Sequence, residues 1–118
     1  MENKKFYECP EYAIALLRDI DRVLKICFWN KNQKEMSSPF DNSGSTYETK
    51  NKKLKIRAYQ WENDNDWNLV FDDYYVISWY KHLGRGTCCN KKLDECEWAF
   101  LYEKILEEIR KDFGKYAI

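Results

Sequence analysis

Residues 54–61, LKIRAYQW, decide the fold of this chain, because apolar and polar side chains alternate along them with a period of two. Successive side chains of a β-strand point to opposite faces of a sheet, so the pattern predicts a strand with one buried face. The side chains expected to face the core are Leu54, Ile56 and Ala58. Those expected to share the outer face are Lys55, Arg57, Tyr59 and Trp61.

Two more strand patterns follow this stretch. Residues 62–66 have the composition of a turn, and apolar runs follow at Trp67–Phe71 and Tyr74–Tyr80 with Asp72 and Asp73 between them. Short connections favour antiparallel pairing of neighbouring strands. The sequence therefore predicts a three-stranded antiparallel meander at about 53–61, 67–71 and 74–81.

Helices are predicted on both sides of the meander. From Pro10 to about residue 28, apolar residues recur at three- and four-residue spacing, which is typical of an amphipathic helix. A second helix is expected at about 94–113, where Asp94 and Glu97 form a capping-box pattern and an apolar stripe runs from Trp98 to Phe113. The polar segment between the first helix and the sheet, about 30–52, is predicted to be a long loop.

These elements predict one α+β domain over residues 1–118, with two helices packed on one face of a small sheet. A chain of 118 residues can bury a sizeable core without metal or disulfide support. Twenty basic and twenty acidic residues give a net charge of zero, so no overall field favours nucleic acid or membrane.

The cysteine count and the absence of long apolar runs bound the setting. No stretch approaches the roughly 18 apolar residues of a membrane span, and no signal-peptide pattern follows Met1. Five cysteines is an odd number and no CxxC pair occurs, so we expect reduced thiols, no metal site and no cofactor in a cytoplasmic protein.

Residues 79–86, WYKHLGRG, carry a cluster of cations beside glycines. Glycine permits close approach of backbone N–H groups to an anion, and arginine offers a bidentate fork. The candidate binding residues are Lys81, His82, Gly84, Arg85 and Gly86. The alternative is a plain connection with solvated basic side chains, because the spacing matches neither a P-loop nor a dinucleotide-binding motif.

The outer sheet face has three possible roles. Arg57, Tyr59 and Trp61, together with Tyr75 or Tyr80, suit a protein-binding patch. Aromatic rings beside cations also suit single-stranded nucleic acid, which zero net charge makes less favoured. Alternatively, the helices or the 30–52 loop cover this face.

A cysteine nucleophile and a Mg²⁺ site are both less favoured than structural roles for the residues concerned. Cys96 falls in the first turn of the last predicted helix, so a Cys96–His82 nucleophile is conceivable, but no supporting signature surrounds it. The acidic runs at 64–66 and 72–73 have spacing that can hold Mg²⁺, yet tight turns need the same residues for backbone reasons.

Two segments, Ser38–Gly44 and Trp79–Gly86, resemble motifs in small proteins of phages and prophages from Gram-positive bacteria. The likeness extends through Ala58–Trp61 and the final helix, about two-thirds of the chain. The resemblance carries no established activity. It implies an origin in a mobile element, a bacterial cytoplasm as the setting, and a group in which many small proteins bind host factors.

The leading hypothesis is therefore a non-enzymatic binding protein that engages a host protein through Arg57, Tyr59, Trp61 and residues 79–86. We call residues 79–86 the basic segment. The alternative is a domain in which Gly84-Arg85-Gly86 binds a phosphate or nucleotide. Single-stranded nucleic-acid binding and a cysteine-dependent enzyme are less favoured.

Overall fold

The computed structural model describes residues 6–35, 46–61, 64–89 and 91–114, apart from the side chains of residues 29, 31–35, 60–61, 64–65 and 89. These residues form two helices, α1 (Glu11–Glu35) and α2 (Glu95–Phe113). The strands are β1 (Phe6–Glu8), β2 (Thr46–Glu48), β3 (Leu54–Trp61), β4 (Asp64–Phe71), β5 (Tyr75–Tyr80) and β6 (Arg85–Cys89). A short 3₁₀ turn, Lys81–Leu83, joins β5 to β6.

The sheet has six antiparallel strands in the order β1-β6-β5-β4-β3-β2. The α+β class and the two helices are confirmed, whereas the predicted three-stranded meander is wrong. Strands β3, β4 and β5 do form a meander, but β6 continues it beyond β5, and the three-residue strands β1 and β2 close the two edges. The expected turn at residues 62–66 is also wrong in its second half, because β4 already begins at Asp64.

Regular structure occupies both ends of the predicted loop at 30–52. Helix α1 continues past its apolar stripe to Glu35, and β2 pairs with β3 so that Tyr47 lies opposite Ile56. Both were missed because their residues are polar or too few to show a period. Residues 36–45, which include the whole of Ser38–Gly44, lie outside the described part of the chain.

One face of the sheet forms the core with both helices. Across the strands, Ile56 lies opposite Leu69, Leu69 opposite Ile77 and Ile77 opposite Cys88, and all four side chains are buried. This confirms the inward face predicted from the alternation in β3. The apolar stripes of α1 and α2 belong to the same core cluster, so both helices lie against this face.

The predicted start of α2 is confirmed. The Asp94 carboxylate accepts a hydrogen bond from the backbone N–H of Glu97 at 2.8 Å, and the Glu97 carboxylate accepts one from the backbone N–H of Asp94 at 3.3 Å. These reciprocal bonds satisfy two N–H groups that a helix start leaves without intrahelical partners. Neither α1 nor α2 is long and apolar enough to cross a membrane.

Candidate binding surface

The face of the sheet opposite the helices is the candidate binding surface, and we call it the outer sheet face. The register aligns one row of its side chains across the sheet: Glu8, Thr87, Ser78, Asn68, Arg57 and Thr46. Beside this row lie Tyr59 and Tyr80, which are 37% and 36% exposed. No described helix packs on this face, and Arg57 beside these tyrosines is exposed as well.

Arg57 and Tyr59 form a contacting pair on the outer sheet face. The Arg57 guanidinium lies 5.3 Å from the centroid of the Tyr59 ring, which is a cation–π contact. Arg57 is exposed and makes no ion pair with a described residue. Its positive charge therefore remains available to an incoming carboxylate.

Two linked hydrogen bonds connect the Tyr59 hydroxyl to Asn68 and Ser78 on the neighbouring strands. The Tyr59 hydroxyl accepts a hydrogen bond from the Asn68 amide at 3.4 Å, and the Asn68 carbonyl accepts one from the Ser78 hydroxyl at 2.8 Å. Ser78 is itself buried in the sheet surface. The network restricts the rotation of Asn68 and Tyr59, which lowers the entropy that a partner would have to remove on binding.

The structure separates Lys81 from the outer sheet face. The Lys81 ammonium lies 3.8 Å from the carboxylate of Asp21 on α1, which also pairs with Lys25 at 3.2 Å and accepts a hydrogen bond from the Trp67 indole at 2.9 Å. Burial and the neighbouring Lys81 lower the pKa of Lys25. Lys81 thus belongs to a partly buried cluster that joins the 3₁₀ turn to α1.

His82 remains near the outer sheet face but is held by a carboxylate. Its Nδ1 lies 3.0 Å from an oxygen of Asp66, and the backbone N–H of Lys81 donates to the same carboxylate at 2.8 Å. Asp66 lies opposite Tyr59 in the sheet register. His82 is therefore fixed beside Tyr59 by Asp66, a residue that composition alone had assigned to a turn.

The glycines of Gly84-Arg85-Gly86 predict a loop, but the structure places Arg85 and Gly86 in a strand. Arg85 begins β6, and its guanidinium pairs with the carboxylate of Glu8 on β1. The N–H of Gly84 donates to the Lys81 carbonyl at 3.1 Å, with Gly84 in a left-handed conformation. This N–H is therefore already used within the fold.

Gly86 serves close packing. An ideal Cβ built on it would lie 2.5 Å from Leu17 Cδ1 and 3.0 Å from the carbonyl oxygen of Ser78. Its carbonyl oxygen accepts a hydrogen bond from the N–H of Cys9 at 2.9 Å. The glycine lets α1 lie close against β6, which is a structural reason for its presence.

The remaining predicted site residues divide between the two faces. Trp61 ends β3, but its side chain lies outside the described part of the chain, so its binding role stays a prediction. Tyr75 lies opposite Phe71 on the inner face, whereas Tyr80 lies opposite Arg85 on the outer one. Of the two tyrosines that the sequence left open, Tyr80 is the outward-facing one.

The described cysteines differ in accessibility. Cys9, Cys27 and Cys88 are buried and Cys96 is exposed. Burial raises the pKa of Cys9 to about 12 and that of Cys27 to about 11, so neither thiol ionises near neutral pH. Among the described residues, no three Cys, His, Asp or Glu side chains come together as a metal centre requires.

The contacts on the outer sheet face include three residues that the sequence reasoning missed. Glu8, Asn68 and Ser78 were not singled out, although Asn68 and Ser78 alternate with buried residues along their strands and could have been assigned to the outer face on that basis. Glu8 carried no such signal, because β1 has only three residues.

No protein-family model, no curated protein and no solved structure matches the chain. The resemblance to small phage and prophage proteins therefore stays a prediction. The function is inferred from the geometry of the surface.

Proposed function

We propose that this chain is a small non-enzymatic binding protein that engages a protein partner through its outer sheet face. Arg57 and Tyr59 are the central contacts in this proposal. The observation that carries it is one face of a six-stranded sheet, left uncovered by both helices, on which exposed tyrosines lie near Arg57. This arginine has no carboxylate partner among the residues that the structure describes. Tyrosine and arginine dominate the binding energy of protein interfaces.

The charges on the outer sheet face favour a protein over a nucleic acid. Three cationic side chains point outward from the described strands: Lys55, Arg57 and Arg85. Lys55 pairs with Glu48 at 3.6 Å and with Asp73 at 3.3 Å, and Arg85 pairs with Glu8. Binding to a phosphate backbone requires several unneutralised cations, whereas one carboxylate on a protein partner is enough to complement Arg57.

The alternative, a phosphate or nucleotide on Gly84-Arg85-Gly86, has less support. Arg85 is paired with Glu8, the Gly84 N–H is bonded to Lys81, and Gly86 is buried against α1. An anion there would have to compete with each of these contacts.

We propose a phage or prophage origin and a bacterial cytoplasm as the setting, on the resemblance alone.

Photo-cross-linking in Gram-positive bacterial cells tests the proposed face. A benzophenone amino acid replaces Tyr80 in one variant and exposed Glu103 on α2 in the control. We expect one partner to cross-link at position 80 and not at position 103, and its yield to fall when Arg57→Glu is added. Equal yields at the two positions, or a yield unchanged by Arg57→Glu, would refute the proposal.

A further inference from the structure

Side chains on the outer sheet face form parallel rows, because same-face residues recur every second residue along a strand, roughly 6.8 Å apart. The middle row contains Arg57, Asn68 and Ser78. On one side of it lies the valine row, which consists of Lys55, Val70 and Val76. On the other side lies the tyrosine row, which consists of Tyr59, Asp66 and Tyr80. Arg57 therefore lies between two rows that carry apolar side chains.

The valine row and the tyrosine row both retain apolar surface that the fold does not bury. Val70 and Val76 are only half-buried on this face. Tyr59 and Tyr80 are exposed. A partner that covers these side chains gains the free energy of removing their apolar surface from water.

The charges on the three rows favour an incoming carboxylate at Arg57 and at neither neighbouring row. In the valine row, the ammonium of Lys55 already pairs with two carboxylates. In the tyrosine row, Asp66 itself presents a carboxylate, which lies 3.0 Å from His82 Nδ1. A further carboxylate in either of these rows would meet like charge. The charge pattern is therefore complementary to one central carboxylate with apolar side chains on both sides.

The strands beneath these rows favour a helix as the contacting segment. Both β4 and β5 pair with a strand on each side, so they have no free edge to offer an extended chain. A single extended segment on this face would leave its own N–H and C=O groups unbonded against apolar surface, whereas a helix bonds them internally. Helix positions i, i+4 and i+8 are about 6 Å apart along the axis, close to the roughly 6.8 Å between rows.

We propose that the protein partner binds through an amphipathic helix whose apolar stripe contains one central aspartate or glutamate. The helix lies along the strand direction, and its carboxylate pairs with Arg57. Apolar side chains on the turns before and after that carboxylate pack on the valine row and the tyrosine row. This proposal rests on the proposed function and adds to it the chemistry of the partner.

Cross-linking from two positions on β5 tests the helix. A benzophenone amino acid replaces Val76 in one variant and Tyr80 in another, and tandem mass spectrometry locates the partner residue that each variant captures. These positions are about 13.6 Å apart along the strand, a distance that a helix spans in about nine residues and an extended chain in about four. We expect the two captured residues to lie about 7–11 positions apart in one segment, with an aspartate or glutamate between them. Lys55, in the same row, is the alternative position if circular dichroism shows that the Val76 variant is unfolded.

The other outcomes of this mapping separate the helix from the proposed function. Captured residues about four positions apart would indicate an extended segment. Captured residues in separate segments, or in a second copy of this chain, would indicate a different kind of surface. Each of these results overturns the helix proposal, whereas the absence of any partner at position 80 overturns the proposed function as well.

An exchange of charges tests the central pair. The probe is a synthetic peptide of the captured segment, and fluorescence anisotropy gives its Kd. Arginine at the central acidic position of the peptide should weaken binding about thirtyfold, as should Arg57→Glu with the original peptide. Both changes together should restore the Kd to within about fivefold of the original value, because the pair is re-formed with its charges exchanged.

The peptide should also gain helical circular dichroism when it binds. A combination of both charge changes that binds no better than either change alone would overturn the pairing with Arg57. A bound peptide without helical signal would overturn the helix.

Discussion

Replacing Gly86 by alanine should destabilise the protein through a steric clash in the core. The added Cβ would lie 2.5 Å from Leu17 Cδ1, about 1 Å inside the usual separation of roughly 3.5 Å between contacting carbon atoms. The second contact, at 3.0 Å, is to the backbone oxygen of Ser78, which cannot rotate away. Leu17 is fully buried, so it has no open space into which to move.

The expected loss in free energy of unfolding is about 3 kcal/mol, the upper end of the range for overpacked cores. The backbone contributes no strain, because Gly86 does not have a positive φ. For a domain of this size, the melting temperature should fall by roughly 10 °C. Urea unfolding followed by circular dichroism gives the urea midpoint and the slope of the transition, from which the loss in free energy of unfolding is calculated.

A double-mutant cycle with Leu17→Ala identifies the cause. Leu17→Ala alone should cost about 2–5 kcal/mol, but together with Gly86→Ala the total should be at least about 1 kcal/mol less than the sum, because the new methyl group enters the vacated space. Gly84→Ala is the matched control. Its cost of roughly 1–2 kcal/mol comes from the left-handed backbone and should add to that of Leu17→Ala. Strict additivity for Gly86→Ala, or a loss below about 0.5 kcal/mol, would refute the packing explanation.

Two further predictions concern polar groups that join the helices to the rest of the core. Asp21→Ala should lower the free energy of unfolding by about 3 kcal/mol, because it leaves the buried indole N–H of Trp67 without its acceptor and removes the ion pair with Lys25. A loss below about 1 kcal/mol, measured by urea unfolding, would contradict this explanation. The Tyr102 hydroxyl donates to the Asp19 carboxylate and is the main cause that holds the pKa of Asp19 below its usual value of 3.8. Tyr102→Phe should therefore lower the free energy of unfolding by about 1–2 kcal/mol at pH 7. This difference should disappear as the pH falls through the lowered pKa of Asp19, because protonation removes the charged acceptor. A difference that persists unchanged at pH 2 would argue against a charge-assisted bond.

The elements with a long hydrophobic period could be predicted from the sequence. The alternation in 54–61 placed Arg57 and Tyr59 on the outer face, and the capping box located the start of α2. Strands β1 and β2 could not be found in this way, because three residues show no period and form a strand only when they pair with β6 and β3. Tertiary pairing therefore decided these two strands.

The basic segment shows the same limit for the candidate site. Glycines beside Arg85 indicate a loop when they are considered locally, whereas Gly86 is needed because Leu17, far away in the sequence, packs against it. The partners that neutralise Arg85 and Lys81 are Glu8 and Asp21, which likewise lie far away in the sequence. That Arg57, unlike Arg85 and Lys81, has no carboxylate partner in the described part of the chain could be recognised only after these contacts were known.

The dissociation constant of the cross-linked partner for the Arg57→Glu variant tests the central claim most directly. Lys92→Glu, which makes the same change in net charge at an exposed site outside the outer sheet face, is its control. We predict that Arg57→Glu weakens binding about thirtyfold or more, the loss expected for a central arginine contact, while Lys92→Glu binds like the unmodified protein. Equal dissociation constants for Arg57→Glu and the unmodified protein would contradict a binding function of the outer sheet face.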